Sequence, residues 1–366
     1  MSRTALSHNE AVDEVYRLTP QIREYDEFMY LGVRWLPYTM FFHHKNYVSR
    51  VINTDDLGFR ISEANGKRFS TASFDNSRPV NLLVGGSTVL GTGATADCHT
   101  TSSRLAARTG DTWLNFSGRG YNAIQEYMLF LMHQKKFNEI KNVVIFSGIN
   151  TLSLEGFPDH LANEHGRYYY SYEFDHYMGK YNDDLRRRKN TYASALQGRN
   201  QSVVKKTKSI ITNLFTEEEN PADIVLSDEG IDTTVRLHRA AEVISDAIDV
   251  WKVLLAPFNA KLTFVLQPMS YWSKDSFTSD ELEIFHAIDS CPNNFWRMFN
   301  KILHKDVHAP FSDHIRQRCK KNDVAFYDMN VMLKDSEILN EYLFVDHVHF
   351  NDKGYDEAAR LITTII

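Results

Sequence analysis

The chain has 366 residues, 43% of them hydrophobic, 24% charged and 13% aromatic, with a formal net charge of −6. Its length suits two domains or one large domain with insertions, and its composition is ordinary for a soluble globular protein. The mild acidity argues against a generic nucleic-acid binder. Three scattered cysteines, Cys98, Cys291 and Cys319, fit a reducing compartment better than a disulfide framework. The N-terminal residues show no apolar signal core. The most apolar early run, 29–42, contains Arg34 and Pro37 and is too short for a bilayer. The expectation is a soluble, cytoplasmic protein with no membrane span.

Residues 1–79 read as an N-terminal extension packed on the core, irregular in structure, with turn-like sequence at 53–60 and a polar connector at 67–79. From Val80 a βα rhythm sets in. A short Leu/Val run at 81–84 predicts a buried parallel strand, closed by Gly85 and Gly86. A helix follows over 100–108, with Gly110 as its C-terminal cap. The second strand is 112–116. A helix over 122–135 carries Ile124, Met128 and Leu131 on one face, and the third strand is 142–146. The rhythm then breaks over 151–230, a stretch too polar for a core of its own and read as a lid or subdomain. It holds Tyr168–Tyr170, Tyr172, Tyr177, the basic runs 186–189 and 205–206, and an acidic run before Pro221. A long helix over 233–255 and a fourth strand at 262–266 resume the rhythm. A second insertion at 269–306, a helix over 310–320, a fifth strand at 324–327, a loop at 342–350 and a terminal helix from 352 complete the chain. This order predicts an α/β fold: a three-layer α/β/α sandwich on a five-stranded parallel sheet, flavodoxin-like with strand order 2-1-3-4-5.

The chemistry lies where the strands end. The first strand delivers Gly85-Gly86-Ser87, the second Asn115…Gly120-Tyr121-Asn122, and the third Gly148-Ile149-Asn150. The last loop carries Asp346-His347-Val348-His349. In a 2-1-3-4-5 sheet the first and third strand ends meet at the topological switch point, where open α/β sheets bind ligands. Together these residues supply a hydroxyl, a His base, an acid to orient it and convergent N–H donors, the requirements of acyl transfer.

The four-block pattern resembles the SGNH hydrolase superfamily, which contains the GDSL lipases and esterases, and the resemblance runs from about Val80 to the C-terminus. It implies a nucleophile at Ser87, oxyanion-hole donors from the Ser87 N–H, the Gly120 N–H and the Asn150 amide, and a His349–Asp346 pair completing the triad. The chain departs from the family at two positions. Gly86 stands where the lipase subgroup has Asp, and Thr151 where the family usually has Asp. Neither is a triad residue.

Competing motifs are weaker. Asp346-His347-x-His349 and His43-His44 have metal-ligand residue types, but no Cys or His partner lies at zinc-like spacing, so no metal is expected. Gly91-Thr-Gly93-Ala-Thr-Ala96 matches a dinucleotide fingerprint by letter but begins several residues after the strand ends. Arg119, beside Gly120, and Gln267, closing the fourth strand, are candidate substrate-binding residues. The resulting expectation is a cofactor-free serine esterase acting on an O-acyl or O-acetyl ester of a polar small molecule or glycan. An O-acyltransferase with the same acyl-enzyme and a non-catalytic binding protein on the same fold are the alternatives.

Overall fold

A computed structural model of the chain describes residues 8–30, 34–156, 162, 166–196, 232–291 and 303–366. The basic pair Lys205-Lys206, the acidic run before Pro221 and Pro221 itself lie outside these residues. The chain divides into two compact units, Met1–Gly156 with Asp232–Ile366, and Phe157–Ile231.

The N-terminal segment is more regular than expected. It forms α1 (His8–Leu18), α2 (Ile22–Tyr30) and two antiparallel hairpins, β1 (Arg34–Leu36) with β2 (Met40–Phe42), and β3 (Ser62–Ala64) with β4 (Lys67–Phe69). Ala11 and Val15 of α1 are buried, and Leu18 packs on the main core. The second hairpin turns at Asn65-Gly66, both with positive φ (51° and 72°), the backbone that a two-residue hairpin loop requires and that Asn-Gly adopts readily.

The central sheet consists of β5 (Val80–Gly85), β6 (Thr112–Ser117), β7 (Ile140–Ser147), β8 (Lys261–Leu266) and β9 (Ala325–Asp328). All neighbouring pairs are parallel and the order is β6-β5-β7-β8-β9, the 2-1-3-4-5 arrangement expected. Every residue of β5 is buried, as a strand flanked on both sides and covered on both faces must be.

Among the described residues the helices between strands are α3 (Ser87–Leu90), α4 (Thr101–Thr109), α5 (Ala123–His133), α6 (Ile149–Glu155) and, in the smaller unit, α7 (Ser171–Leu196). They continue with α8 (Thr233–Leu255), α9 (Ser270–Ser273), α10 (Ser279–Ser290), α11 (Lys305–Lys321), α12 (Met329–Lys334) and α13 (Asp352–Thr363). Leu83, Val144, Phe146 and Val265 of the sheet pack with Leu105 of α4 and with Ala358 and Ile362 of α13. The other helical layer is built on α8, which touches α5, α6 and α11, with Trp251 5.1 Å from Phe130 of α5.

Two boundaries differ from expectation. Residues 151–155, assigned to the first insertion, are part of α6, with Leu152 and Leu154 buried in the larger unit. Helix α11 starts at Lys305 and runs through Pro310, which expectation placed at its start. The carbonyl left unpaired by Pro310 belongs to Asp306, in the exposed first turn where water can satisfy it. The second insertion contains α9 and α10, and its residues 292–302 are not described. No helix among the described residues is long and apolar enough to cross a membrane.

Candidate active site

The end of β5 runs through Gly85 and Gly86 straight into α3, so Ser87 opens that helix and its N–H lies in a first turn, where no intrahelical acceptor exists. Gly86 has φ −88°, which any residue tolerates; what it lacks is room. A Cβ there would lie 2.3 Å from Asn150 Nδ2. That distance places the Asn150 amide directly beside the residue preceding Ser87, so any side chain at position 86 has to displace it.

The C-terminal loop reaches the same point. Its neck is closed by pairing of Phe344 with Phe350 and by the Val345 N–H donating to His349 O at 2.9 Å. Asp346 Oδ1 accepts the N–H groups of Val348 (2.8 Å) and His349 (2.6 Å), which folds the loop around its own carboxylate. Asp346 Oδ2 lies 2.6 Å from His349 Nδ1, and His349 Nε2 lies 2.7 Å from Ser87 Oγ. A carboxylate only accepts, so Nδ1 carries the proton and Nε2 is left to accept from the Ser87 hydroxyl. Desolvation opposes charge on Asp346, but the His349 ring and the two loop N–H groups outweigh it and hold the carboxyl below its ordinary range.

A buried ion pair that anchors this loop escaped sequence reasoning. Buried Glu281 of α10 accepts the N–H groups of Leu343 (3.1 Å) and Phe344 (3.3 Å), and buried Lys274 pairs with it at 2.7 Å. The Thr278-x-x-Glu281 capping box that starts α10 is a legible signal, but its carboxylate serves the distant loop as well. Downstream, Asn351 caps α13 through the Gly354 N–H at 3.0 Å and donates to Tyr342 O at 2.8 Å.

The second and third strand ends complete the surroundings. The Gly118 N–H donates to Gly85 O at 3.0 Å, the Arg119 N–H to His43 Nε2 at 2.9 Å, and the Tyr121 N–H closes the turn onto Gly118 O at 3.1 Å. Gly120, between them, has φ +72°. The Asn150 amide donates one of its two hydrogens to Tyr121 O at 3.0 Å, which ties the third block to the second. Thr151 accepts the Ala123 N–H at the start of α5 (3.0 Å), so its hydroxyl has a structural task where the family usually has Asp. Asn115 is structural too, donating to Val89 O behind α3 at 2.7 Å.

Ser87, Asp346, His349 and Asn150 are therefore brought together, with Gly120 in the adjoining turn. The two substrate-binding candidates fare differently. Gln267 is buried, and its Nε2 donates to Thr88 Oγ1 at 3.0 Å, which ties it to α3. Arg119 is partly exposed, and its charge acts on Asp26 of α2. His43 has both ring nitrogens engaged, by Gly58 O and the Arg119 N–H, which removes it as a metal ligand. The carbonyls of the dinucleotide-like stretch are met by protein: Tyr25 Oη lies 2.7 Å from Gly91 O, and Arg60 Nη1 lies 3.1 Å from the same atom. An open cleft of about 810 Å³ at the start of β8 and β9, lined by Lys252, Lys261, Arg316 and Lys320, lies at the strand ends opposite Ser87.

No family model and no curated protein matches the chain. Among solved structures it is similar to a Bacteroides fragilis protein assigned as an acylhydrolase, at 12% identity over 79% of this chain and 87% of that one, with a TM-score of 0.39. An acetyl xylan esterase matches at 10% identity over 78% and 99% of the two chains, with a TM-score of 0.38. The lipase/acylhydrolase from Enterococcus faecalis matches at 13% identity over 78% and 94%, with a TM-score of 0.32. The chain's own residues carry the functional reading.

Proposed function

We propose that this chain is a serine esterase of the SGNH type, hydrolysing an O-acyl or O-acetyl ester of a polar, carbohydrate-like alcohol. The observation that carries the reading is the continuous relay from Ser87 Oγ to His349 Nε2 (2.7 Å) and from His349 Nδ1 to Asp346 Oδ2 (2.6 Å). Ser87 attacks the ester carbonyl while His349 takes its proton, and Asp346 orients the ring and stabilises the cation that forms. The oxyanion is held by the N–H groups of Ser87 and Gly120 and by the Asn150 amide, each such donor being worth about 2.7–4 kcal/mol in the transition state. His349 then protonates the departing alcohol, leaving an acyl-Ser87, and water repeats the sequence to release the acid. The substrate class is drawn from the sequence of the stretch 151–230, rich in tyrosines and polar residues.

Hydrolysis of p-nitrophenyl acetate and labelling of Ser87 by a fluorophosphonate test the reading, with Ser87→Ala as control. Turnover and labelling that both vanish in the variant are expected. A folded wild-type chain that neither turns over nor labels would overturn it, and acyl transfer to added sugars outrunning hydrolysis would redirect it to an acyltransferase.

A further inference from the structure

We infer that His43, 76 residues upstream of the turn it touches, is a positioning residue for the oxyanion hole: its Nε2 holds the Arg119 N–H and so aims the next N–H, that of Gly120. The inference rests on the esterase reading. His43 follows β2 and is buried, its ring stacked on Phe42 at 4.6 Å and tilted against Phe28 at 5.8 Å. Its two nitrogens face partners of opposite kind. Gly58 O, 3.1 Å from Nδ1, can only accept, and the Arg119 N–H, 2.9 Å from Nε2, can only donate. One tautomer satisfies both, with Nδ1 protonated and Nε2 bare. Burial, aided by the nearby Arg119 and Arg34 charges, holds the ring pKa down at about 3, so it does not convert to the doubly protonated form that would lose the acceptor.

The Gly120 N–H belongs to a turn pinned on each side. Before it, Gly118 is held by Gly85 O and Arg119 by His43; after it, Tyr121 is held through its carbonyl by Asn150 and through its hydroxyl by Phe41 O. Two of these pins, His43 and Phe41, come from the N-terminal segment. That segment therefore bears on the geometry of the hole as well as on the stability of the core.

Two substitutions separate positioning from packing. In His43→Gln, Oε1 reaches the place of Nε2 and still accepts from Arg119; in His43→Asn, Nδ2 stands in for Nδ1, bonding Gly58 and leaving Arg119 without an acceptor. Each variant loses one buried hydrogen bond, so similar losses of urea stability are expected. Their activities should differ: H43N loses about 10²–10³ in kcat on p-nitrophenyl acetate with KM little changed, the signature of a lost oxyanion donor, while H43Q recovers most of kcat. Equal kcat losses in the two variants, or wild-type kcat in H43N, would overturn the inference. If the wild type shows neither turnover nor Ser87 labelling, it is the esterase reading that fails. Amide exchange at Arg119 and Gly120 tests the contact without turnover: it should accelerate in H43N and not in H43Q, and unchanged exchange in H43N would refute the positioning role.

Discussion

Gly86→Ala tests how tightly the region before Ser87 is built. The backbone at Gly86, φ −88°, accepts alanine, so any effect comes from space. The new Cβ would stand 2.3 Å from Asn150 Nδ2, whereas ordinary contact begins near 3.4 Å, so the amide must retreat by about 1 Å. A displacement of that size at a reacting centre costs on the order of 10²-fold in rate. Complete loss of one oxyanion donor costs about 10²–10³-fold. Under the esterase reading G86A should lower kcat into that range with KM nearly unchanged, because the amide acts on charge that develops only in the transition state. Steady-state kinetics on p-nitrophenyl acetate would be measured for G86A, for Asn150→Ala and for the double variant, with urea unfolding as a control for stability. If alanine acts by displacing the amide, removing that amide first leaves G86A little to disturb, and the double variant should be about as slow as N150A alone. The reasoning is refuted if G86A keeps wild-type kcat, or if the two single losses multiply in the double variant.

Two further predictions concern buried charge. Arg60, fully buried, pairs with Asp97 at 3.0 Å and donates to Tyr25 Oη (2.8 Å), Leu90 O (2.8 Å) and Val51 O (2.6 Å), joining the N-terminal segment to the end of α3. Arg60→Met should cost about 3 kcal/mol, the low end for a broken buried pair, because Arg68 still reaches Asp97 at 3.3 Å. A shift in urea midpoint worth under about 1 kcal/mol at constant m would refute the assignment. Glu126 of α5 is buried against Ser147 Oγ at 2.5 Å; burial pushes its carboxyl up to about 8, with the serine hydrogen bond acting in the other direction. The folded chain thus keeps a proton that the unfolded chain releases above 4.5, so this group lowers stability as pH rises from about 4.5 to about 8. Glu126→Gln should gain stability relative to wild type across that window, and parallel stability–pH profiles would exclude the raised pKa.

Local patterns made the sheet and most of its helices readable. Leu82–Val84 and Val143–Phe146 are short apolar runs with glycine beyond them, and Thr100 and Gly110 bracket α4 as caps. Asn65-Gly66 is an equally local signal for the second hairpin, which the reading of 1–79 as irregular passed over. What no local pattern carries is pairing over long separations. Arg60 finds Asp97, His43 finds the Arg119 N–H and Glu281 finds Leu343 and Phe344, each across dozens of residues. These contacts join residues whose neighbours in sequence give no hint of a partner, and a lone buried Arg or His reads the same whether it braces the core or a site. Gln267 is a further case: nothing at its strand end names Thr88, to which its Nε2 donates.

The two departures from the family pattern belong to one arrangement. The Asn150 amide lies so close to position 86 that a Cβ there would displace it, and the amide is held by Tyr121 O. Tyr121 in turn is fastened to Phe41 O, and the residue after Asn150 receives the Ala123 N–H through a threonine hydroxyl, which locks the starts of α5 and α6 together. An aspartate at 151 could accept the same N–H, and so could a serine; what the position supplies is an acceptor for a helix start whose first donors have no intrahelical partner. Thr151→Val should therefore be the more damaging of two exchanges. Thr151→Ser keeps the acceptor and should retain stability, whereas T151V leaves the buried Ala123 N–H unpaired and should lower the urea midpoint by an amount worth about 1–3 kcal/mol. Equal urea midpoints in the two variants would show that the hydroxyl is not what joins the two helices.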